Sequence, residues 1–365
     1  MLNRKKVGWG GLLLAASAAC APFLGANPSF ETLVDPQGHT VTVASGHPSL
    51  QKWLLPETPP SPADNLLTPE RAALGKMLFF DPRLSGTGRS TCASCHVPER
   101  GWSDGMPKSV RFMGGIMTRA SPTIVNIGYN SIQLWDGRSP TLEHQALNGM
   151  SPTGSMNAGP DKPGVGYSNI EKNRGYQQAF ERAYPGEGIT PKSLAKALAS
   201  FERSVISRES PFDRWVAGDS GAMSAQQVEG FRVFIDQKKA NCSVCHAPPN
   251  FTDNGFHNIG LKSFEGEKPD LGRFQQRPVA VMKGAFKTPT LRDIDLTAPY
   301  FHDGSARSLT QVVEHYARGG DAKTNLSPEM KALTLTAAEK EALVAFLQGL
   351  TTPHEMFEYP LLPKN

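Results

Sequence analysis

Three features are scarce in this sequence: long apolar runs, charge of one sign, and cysteine. The apolar run at 7–19 is too short to span a bilayer comfortably, and no second run of this kind follows it. The formal net charge of the 365 residues is only +4, which gives no indication of nucleic-acid binding. The chain has five cysteines, four of which form two closely spaced pairs. With no membrane span or nucleic-acid patch indicated, the two cysteine pairs are the most informative feature of the chain.

Residues 1–26 have the order of an export signal. A positive stretch, Asn3–Lys6, precedes the apolar run, and small residues allow cleavage after Ala21 or Ala26. Lipidation at Cys20 is a third possibility, although the residues before it lack the usual Leu. Cleavage after residue 26 would remove three basic residues and no acid, so the net charge would fall from +4 to +1. The sequence therefore predicts an exported protein without a membrane span.

Both cysteine pairs are followed directly by histidine. One motif is Cys92-Ala-Ser-Cys95-His96 and the other is Cys242-Ser-Val-Cys245-His246. In this spacing the two thiols can form thioethers with the vinyl groups of one porphyrin, while the adjoining imidazole binds the iron from one side. Two CxxC pairs could instead build a four-thiolate zinc site or a redox disulfide. The histidine after each pair favours two covalently bound haem c groups.

This use of the cysteines also indicates a compartment. Four thiols are taken up by haem and Cys20 lies in the signal region, so none remains for a structural disulfide. Bacteria attach haem c covalently outside the cytoplasm. We therefore expect a periplasmic protein.

The remaining pattern predicts a mainly α fold with long loops, built from two tandem cytochrome c-like haem domains. Thirty prolines and 35 glycines indicate much loop, and no convincing period-2 strands are visible. The segment 27–65 carries seven prolines and is interpreted as an extended arm. The predicted boundaries are a signal peptide at 1–26, the arm at 27–65, haem domains at 66–212 and 213–352, and a tail at 353–365.

Helix starts and an internal repeat support two modules. Thr68 precedes Pro69 as a helix N-cap, and capping boxes begin at Ser224 and Thr336. Gly75–Asp81 in the first half corresponds to Gly230–Asp236 in the second, and each lies shortly before its CxxCH motif. Further along, a PT dipeptide and then a DG dipeptide occur in the same order in both halves. We expect the aromatic and aliphatic residues of these helices to pack as core or against haem: Phe79, Phe80, Phe234 and Ile235.

From about Thr68 to Leu350 the chain resembles the bacterial dihaem cytochrome c peroxidase superfamily, and within it the MauG-like branch. The resemblance rests on an ordered set of motifs: LFFDPRLS at 78–85, the two CxxCH motifs, PT at 122–123, WDGR at 135–138, LEHQ at 142–145, TPTLR at 288–292 and TAPYFHDG at 297–304. It implies that His96 is the proximal ligand of the peroxidatic haem and His246 that of the electron-transfer haem. Trp135 would relay electrons between them.

Two departures from the typical peroxidases resemble the MauG-like branch. The His that blocks the resting peroxidatic iron in typical members is replaced by Phe112, which implies an open iron. The Met that binds the second iron corresponds to Tyr316, which implies a phenolate ligand that stabilises oxidised iron. His315 and Met330 are rival ligands, and Tyr316 as an ordinary packed aromatic is the other alternative.

Two further departures affect the distal pocket and calcium. The family's catalytic Glu corresponds to Ser155, which cannot act as a base at neutral pH, whereas Gln145 is retained and could orient peroxide. The family's calcium site uses an Asn in an RNxPT segment, but this chain has Arg-Ala-Ser-Pro-Thr at 119–123. Carbonyls of Thr297 and Pro299 would remain as possible calcium ligands.

The leading hypothesis is a periplasmic oxidoreductase that reacts with hydrogen peroxide at the first haem. Oxidising equivalents would pass through the second haem to a redox partner: a small cytochrome c, a copper protein, or a protein whose Trp or Tyr is modified. The alternative from another class is an electron carrier or peroxide sensor without fast turnover, which Ser155 favours. An oxygenase acting on a small molecule or polymer is a third hypothesis.

Overall fold

The computed structural model describes residues 31–110, 115–151, 154, 156, 165–353 and 356–364. The predicted signal peptide with Cys20, and the positions Phe112 and Ser155, lie outside these residues. Within the described part the fold is mainly helical, as the sequence predicts. Its helices are α1 (Pro69–Phe80), α2 (Leu142–Met150), α3 (Val165–Lys172), α4 (Arg174–Ala183), α5 (Pro191–Ser204), α6 (Pro211–Val216), α7 (Ala225–Ile235), α8 (Leu309–Ala317) and α9 (Ala337–Gln348).

The strands are too short to leave an alternating pattern in the sequence. They form two antiparallel pairs, β1 (Thr32–Val34) with β2 (Thr40–Thr42) and β3 (Phe256–His257) with β4 (Phe286–Lys287). In the first pair Leu33 lies opposite Val41. Two or three residues per strand cannot show a period of two, which explains why these strands were not predicted.

The predicted helix starts are confirmed. The Thr68 hydroxyl accepts from the Arg71 amide at 3.3 Å, with Pro69 in the first turn. Ser224 and Thr336 each form a complete capping box. These caps satisfy amides that have no partner inside the helix, so short polar motifs determine where α1, α7 and α9 begin.

Two hydrophobic cores follow the internal repeat. In the first, α1 packs against α5, and Phe79 is fully buried beside Phe201. In the second, α7 packs against α9, and Phe234 and Ile235 are buried, as expected from the sequence. Phe80 is partly buried against the first core. Each core lies beside one CxxCH motif, since Cys92 packs against the first and Cys242 against the second.

The same close helix contact occurs in both cores. A Cβ atom at Gly75 would lie 1.9 Å from the carbonyl oxygen of Ala197, and a Cβ at Gly230 would lie 1.9 Å from that of Ala342. Only a residue without a side chain allows the two backbones to approach this closely. The close contacts of α1 with α5 and of α7 with α9 therefore explain why glycine occurs at both positions.

Segments near the beginning and the end of the described residues pack in the opposite halves. The segment that follows β2 places Leu50 and Trp53 in the second core, and Trp53 makes an edge contact with Phe231 at 5.4 Å. At the other end, Phe357 packs against the first core. None of the helices among the described residues is long and apolar enough to cross a bilayer.

Candidate haem sites

Both CxxCH motifs form a short 3-10 turn that brings the imidazole next to the thiols. The turns span Cys92–Ser94 and Cys242–Val244. The His96 amide donates to the Cys92 carbonyl at 3.1 Å, and the His246 amide donates to the Cys242 carbonyl at 2.9 Å. The same backbone turn therefore follows the first cysteine of both motifs, and a covalent haem would take its two thioethers and its proximal imidazole from each of them.

The two histidines have the same hydrogen-bonding arrangement. His96 Nδ1 lies 3.2 Å from the carbonyl oxygen of Trp102, and His246 Nδ1 lies 2.9 Å from that of Phe251. A carbonyl can only accept, so Nδ1 carries the proton and Nε2 is left for iron. Burial lowers the pKa of His96, and it lowers that of His246 to about 4. Both rings are therefore neutral at pH 7, which is the form that binds a metal.

A large cavity opens beside the second motif. Its volume is about 260 Å³, and its lining is mostly apolar. His246 and both cysteines of the motif line it, together with Tyr316 and Met330. A mainly apolar cavity with two thiols and a neutral imidazole at its wall matches the requirements of a covalently attached porphyrin. The residues present therefore fit a haem c group.

Tyr316 and its rivals differ in their surroundings. His315 does not line this cavity, because its Nδ1 lies 3.2 Å from Asp321 and its Nε2 2.9 Å from the Ile259 carbonyl. Tyr316 and Met330 both line the cavity. Burial raises the pKa of the Tyr316 phenol, so a cation such as ferric iron would be needed to favour its phenolate form. The identity of the second axial ligand remains a prediction.

The same cavity reaches Trp135. The indole Nε1 donates to the Ala120 carbonyl at 3.0 Å, and the backbone carbonyl of Trp135 accepts from the Lys287 amide at 2.8 Å. The segment that holds the indole also contains Ser121, whose hydroxyl lies 3.4 Å from His96 Nδ1. Trp135 is thus fixed between a segment that contacts His96 and the cavity that contains His246.

An ion-pair network fixes the backbone around this indole. Arg119 contacts Asp136 at 2.7 Å and Asp270 at 2.6 Å, and Asp136 also pairs with Arg138 at 2.9 Å. Asp136 is buried, and its arginine partners keep the pKa of its carboxyl low despite the opposing effect of burial. Charge-assisted hydrogen bonds therefore hold Asp136, which directly follows Trp135, and Arg119, which directly precedes the Ala120 that accepts from the indole.

The described residues do not support a shared zinc site. Only Cys245, Asp253 and His257 among them place three potential ligand atoms within 4.8 Å of one another. The two CxxC pairs are not brought together into a four-thiolate group. Because Cys245 belongs to a CxxCH motif, its sulfur is expected to bind haem and not a separate metal.

Comparison with known proteins decides the family. A profile described as di-haem cytochrome c peroxidase matches residues 69–221. The methylamine utilization protein MauG of Methylophilus methylotrophus is 40% identical over 319 residues, which cover 87% of this chain and 93% of the relative. The chain belongs to the di-haem cytochrome c peroxidase family.

Further relatives support this assignment. The cytochrome c551 peroxidase of Nitrosomonas europaea is 33% identical, with coverage of 82% of this chain and 86% of that protein. The crystal structure of a MauG-like protein associated with microbial copper homeostasis is similar with a TM-score of 0.76 and 31% identity, and it covers 82% of this chain and 95% of that one. The protein is therefore a haem c-dependent oxidoreductase whose family carries out peroxide-dependent redox chemistry.

Of the residues predicted to line the distal side of the first haem, the structure describes Gln145 only. Gln145 lies on α2 and is half-buried. Ser155 and Phe112 lie outside the described residues. The roles of these three residues therefore remain predictions from the sequence.

Two buried ionisable residues were missed by the sequence reasoning. Burial raises the pKa of Glu202 on α5 to about 8, and its Oε2 atom has no hydrogen-bond partner. When ionised, the Glu202 carboxylate would raise the pKa of the Cys92 thiol, which places it near the first attachment motif. Lys287 lines the second cavity, and burial lowers its pKa to about 8. Neither residue has a local sequence signal, because burial by residues distant in sequence creates both environments.

Proposed function

We propose that this protein is a periplasmic dihaem oxidoreductase that reacts with hydrogen peroxide and transfers the oxidising equivalents through Trp135. The observation that carries the proposal is the shared cavity, which His246, Tyr316 and Trp135 all line. The contact between Ser121 and His96 connects the wall of this cavity to the first motif. One continuous set of contacts thus joins the two attachment sites.

The chain has distinct roles for the residues at each haem. When bound, the haem groups supply the iron that binds peroxide and the capacity to store one-electron oxidising equivalents. His96 and His246 would hold the iron atoms through Nε2, and their carbonyl partners fix the ring orientation. On the distal side of the first haem, Gln145 would orient peroxide. Tyr316 would be the second ligand at His246 and would stabilise the oxidised form.

Trp135 would carry electrons between the two sites. Its Nε1 donates to Ala120, which immediately precedes Ser121, and its carbonyl is held by β4. A half-buried indole on a segment fixed by ion pairs needs little rearrangement when it loses and regains an electron. This rigidity supports a relay role rather than simple packing.

The expected location and partner follow from the sequence and the relatives. The export-like segment 1–26 and the covalent haem motifs support the periplasm. The donor would be a small cytochrome c, a copper protein, or a protein whose Trp or Tyr side chain becomes modified. Relatives named for methylamine utilization and for copper homeostasis support a dedicated redox partner.

The test is to mix the diferric holoprotein with hydrogen peroxide and record its absorption spectrum. We expect rapid changes at both haems, followed by return of the starting spectrum when a one-electron donor is added. Urea-unfolded holoprotein, in which haem remains covalently attached but the pocket is lost, is the control. An unchanged spectrum of the folded protein would contradict the peroxide reaction.

One observation favours a second candidate, an electron carrier or peroxide sensor without fast turnover. Ser155 stands where the family has its catalytic Glu, so proton transfer within bound peroxide would be slower. The same experiment discriminates the two candidates. Spectral change without repeated peroxide consumption in the presence of donor would favour the sensor.

We also propose that calcium binds near Trp135. Thr297 and Pro299, whose carbonyls the family resemblance indicates as ligands, line the same cavity as the indole. Carbonyl oxygens are suitable ligands for this cation. Metal analysis of the purified holoprotein should find calcium that is lost on dialysis against EGTA, and a calcium-free preparation before dialysis would contradict the site.

A further inference from the structure

The C-terminal segment covers the aromatic residues beside the first haem motif. Phe357 stacks on Phe80 with ring centroids 5.2 Å apart and contacts Trp102 edge-on at 5.1 Å. The segment is anchored further along, where Arg83 donates to the Pro363 carbonyl at 2.8 Å. Residues contributed by the last part of the chain therefore extend the first core outward.

These rings form a continuous path from Trp102 to the surface, and a hydrogen bond to the Trp102 carbonyl joins the path to the first motif. Tyr359 lies edge-on to Phe357 at 5.2 Å, and its side chain is exposed, with 57% of its surface accessible. Trp102 is buried, and its carbonyl accepts the hydrogen bond from His96. The order from inside to outside is His96, Trp102, Phe357 and Tyr359. Trp and Tyr are the side chains most readily oxidised by one electron, and they stand at the two ends of the aromatic path.

The outer residue has a built-in proton acceptor. The Tyr359 hydroxyl donates to Oε1 of Glu99 at 2.8 Å, although the two residues are 260 positions apart in the sequence. The nearby carboxylate raises the pKa of the phenol, so Tyr359 is protonated at neutral pH. A phenol must lose its proton when it loses an electron, and a carboxylate within hydrogen-bond distance can accept that proton.

We propose that Trp102, Phe357 and Tyr359 form a second outlet for oxidising equivalents from the first haem, separate from Trp135, with Glu99 accepting the phenolic proton. The inference rests on the proposed reaction with hydrogen peroxide, which supplies two oxidising equivalents. One electron passes from Tyr359 through Trp102 to the oxidised first site, and the phenolic proton moves to Glu99. The tyrosyl radical then takes one electron from a small phenolic reductant and regains its proton from Glu99. The reductant becomes a phenoxyl radical and releases its own proton to solvent, and a second cycle uses the second equivalent.

The exposure of Tyr359 supports a small phenolic donor. Its ring contacts Phe357 and Phe80, and more than half of its surface is accessible. A phenol could therefore approach the hydroxyl without entering the haem pocket. The outlet would remove oxidising equivalents when no partner protein occupies the route through Trp135.

The test uses the diferric holoprotein mixed with hydrogen peroxide without donor, frozen, and examined by electron paramagnetic resonance. We expect a tyrosyl signal in the parent and its loss in Tyr359→Phe. Trp102→Phe should lower the yield of the signal, and Glu99→Gln should slow its formation because an amide cannot take the proton. Spin trapping followed by mass spectrometry should locate the adduct at Tyr359.

The matched control is Tyr167→Phe. Tyr167 packs against the same core, but its hydroxyl donates to the Ile189 carbonyl, which cannot accept a proton on oxidation. This variant should keep the tyrosyl signal. A signal that persists in Tyr359→Phe, or that is lost in Tyr167→Phe instead, would overturn the outlet.

The haem absorption spectrum separates this proposal from the peroxide reaction. If peroxide leaves the haem spectrum unchanged, the proposed function fails, and peracetic acid then supplies the same two equivalents with a better leaving group. A radical at Tyr359 under peracetic acid supports the outlet independently. Absence of a tyrosyl radical with both reagents overturns it.

Discussion

Burial gives Glu202 a property that its neighbours in the sequence do not suggest. It raises the pKa of this carboxyl to about 8, although the adjacent Arg203 acts in the opposite direction. The guanidinium of Arg203 is directed to Glu143 at 2.7 Å, so its best hydrogen bonds are made elsewhere. Glu202 is therefore neutral at neutral pH, with one oxygen atom left without a partner.

This shift predicts a pH-dependent stability. The folded protein keeps the Glu202 proton up to about pH 8, whereas the unfolded chain releases it near pH 4.5. Between these values the folded state binds more protons, so its contribution to stability falls as pH rises, by a few kcal/mol in total. Glu202→Gln should be more stable than the parent at pH 8, measured by thermal unfolding of the holoprotein.

The control for this prediction is Glu181→Gln, since Glu181 is exposed on α4. It should leave the difference in melting temperature between pH 5 and pH 8 as in the parent. If Glu202→Gln shows the parent's full pH dependence in that range, the carboxyl is already ionised in the folded protein.

Tyr316 allows a spectroscopic test of the second axial ligand. Tyr316→Phe removes the only atom through which this side chain could bind iron, so the low-spin absorption bands of the second haem should change. Met330→Leu is the matched control, because Met330 lines the same cavity and carries the rival sulfur atom. A spectrum that changes in Met330→Leu but not in Tyr316→Phe would show that methionine is the ligand.

At the scale of helices, two glycines determine how closely each helix pair packs. An alanine in a helix interior is more favourable than glycine by about 1 kcal/mol. At Gly75 and Gly230, however, the added carbon would lie 1.9 Å from a backbone oxygen. Backbone cannot move aside as a flexible side chain can, so the clash exceeds the gain in helix propensity.

We therefore expect Gly75→Ala and Gly230→Ala each to lower the free energy of unfolding by about 1–3 kcal/mol through overpacking. Denaturant unfolding of the holoprotein measures the change. Gly221→Ala is the control, because its added carbon would meet only Asp219 Oδ1, at 3.6 Å. Equal effects at all three positions would show that the helix contacts are not the cause.

At the scale of the whole molecule, two segments, one early and one late in the described residues, and the shared cavity connect the two halves. The early segment supplies Trp53 to the second core. The carbonyl of Trp53 accepts from Arg292 at 2.9 Å. The last segment supplies Phe357 to the first core. Neither half is complete without residues from the far end of the sequence. The predicted domain boundaries remain predictions.

The relay between halves is tested with Trp135→Phe. The phenyl ring lacks the Nε1 donor to Ala120 and is harder to oxidise, so electron equilibration between the haems should slow while both stay attached. Flash reduction of the diferric protein followed by absorption at each haem measures this rate. Trp215→Phe, a change to a buried indole in the second core, should leave the rate unaltered. Equal rates in Trp135→Phe and the parent would refute the relay role.

Much of the site could be predicted because its signals are local in the sequence. The CxxCH spacing is set by the size of one porphyrin, and the caps at Thr68, Ser224 and Thr336 act within one helical turn. The short strands could not be predicted, since two or three residues carry no period. Three other features were missed because each depends on residues distant in the chain: the burial of Glu202, the burial of Lys287, and the contact between Glu99 and Tyr359.

By itself, the sequence determined the starts of the main helices and the resemblance to a family, and it predicted two haem attachment sites, because capping and covalent spacing act over a few neighbouring residues. Only the tertiary structure decided that Glu202 and Lys287 are buried, that Trp135 lines the same cavity as His246, and that Tyr359 lies on Glu99. Burial and long-range contact arise from packing of separate segments. No local pattern of residues specifies them.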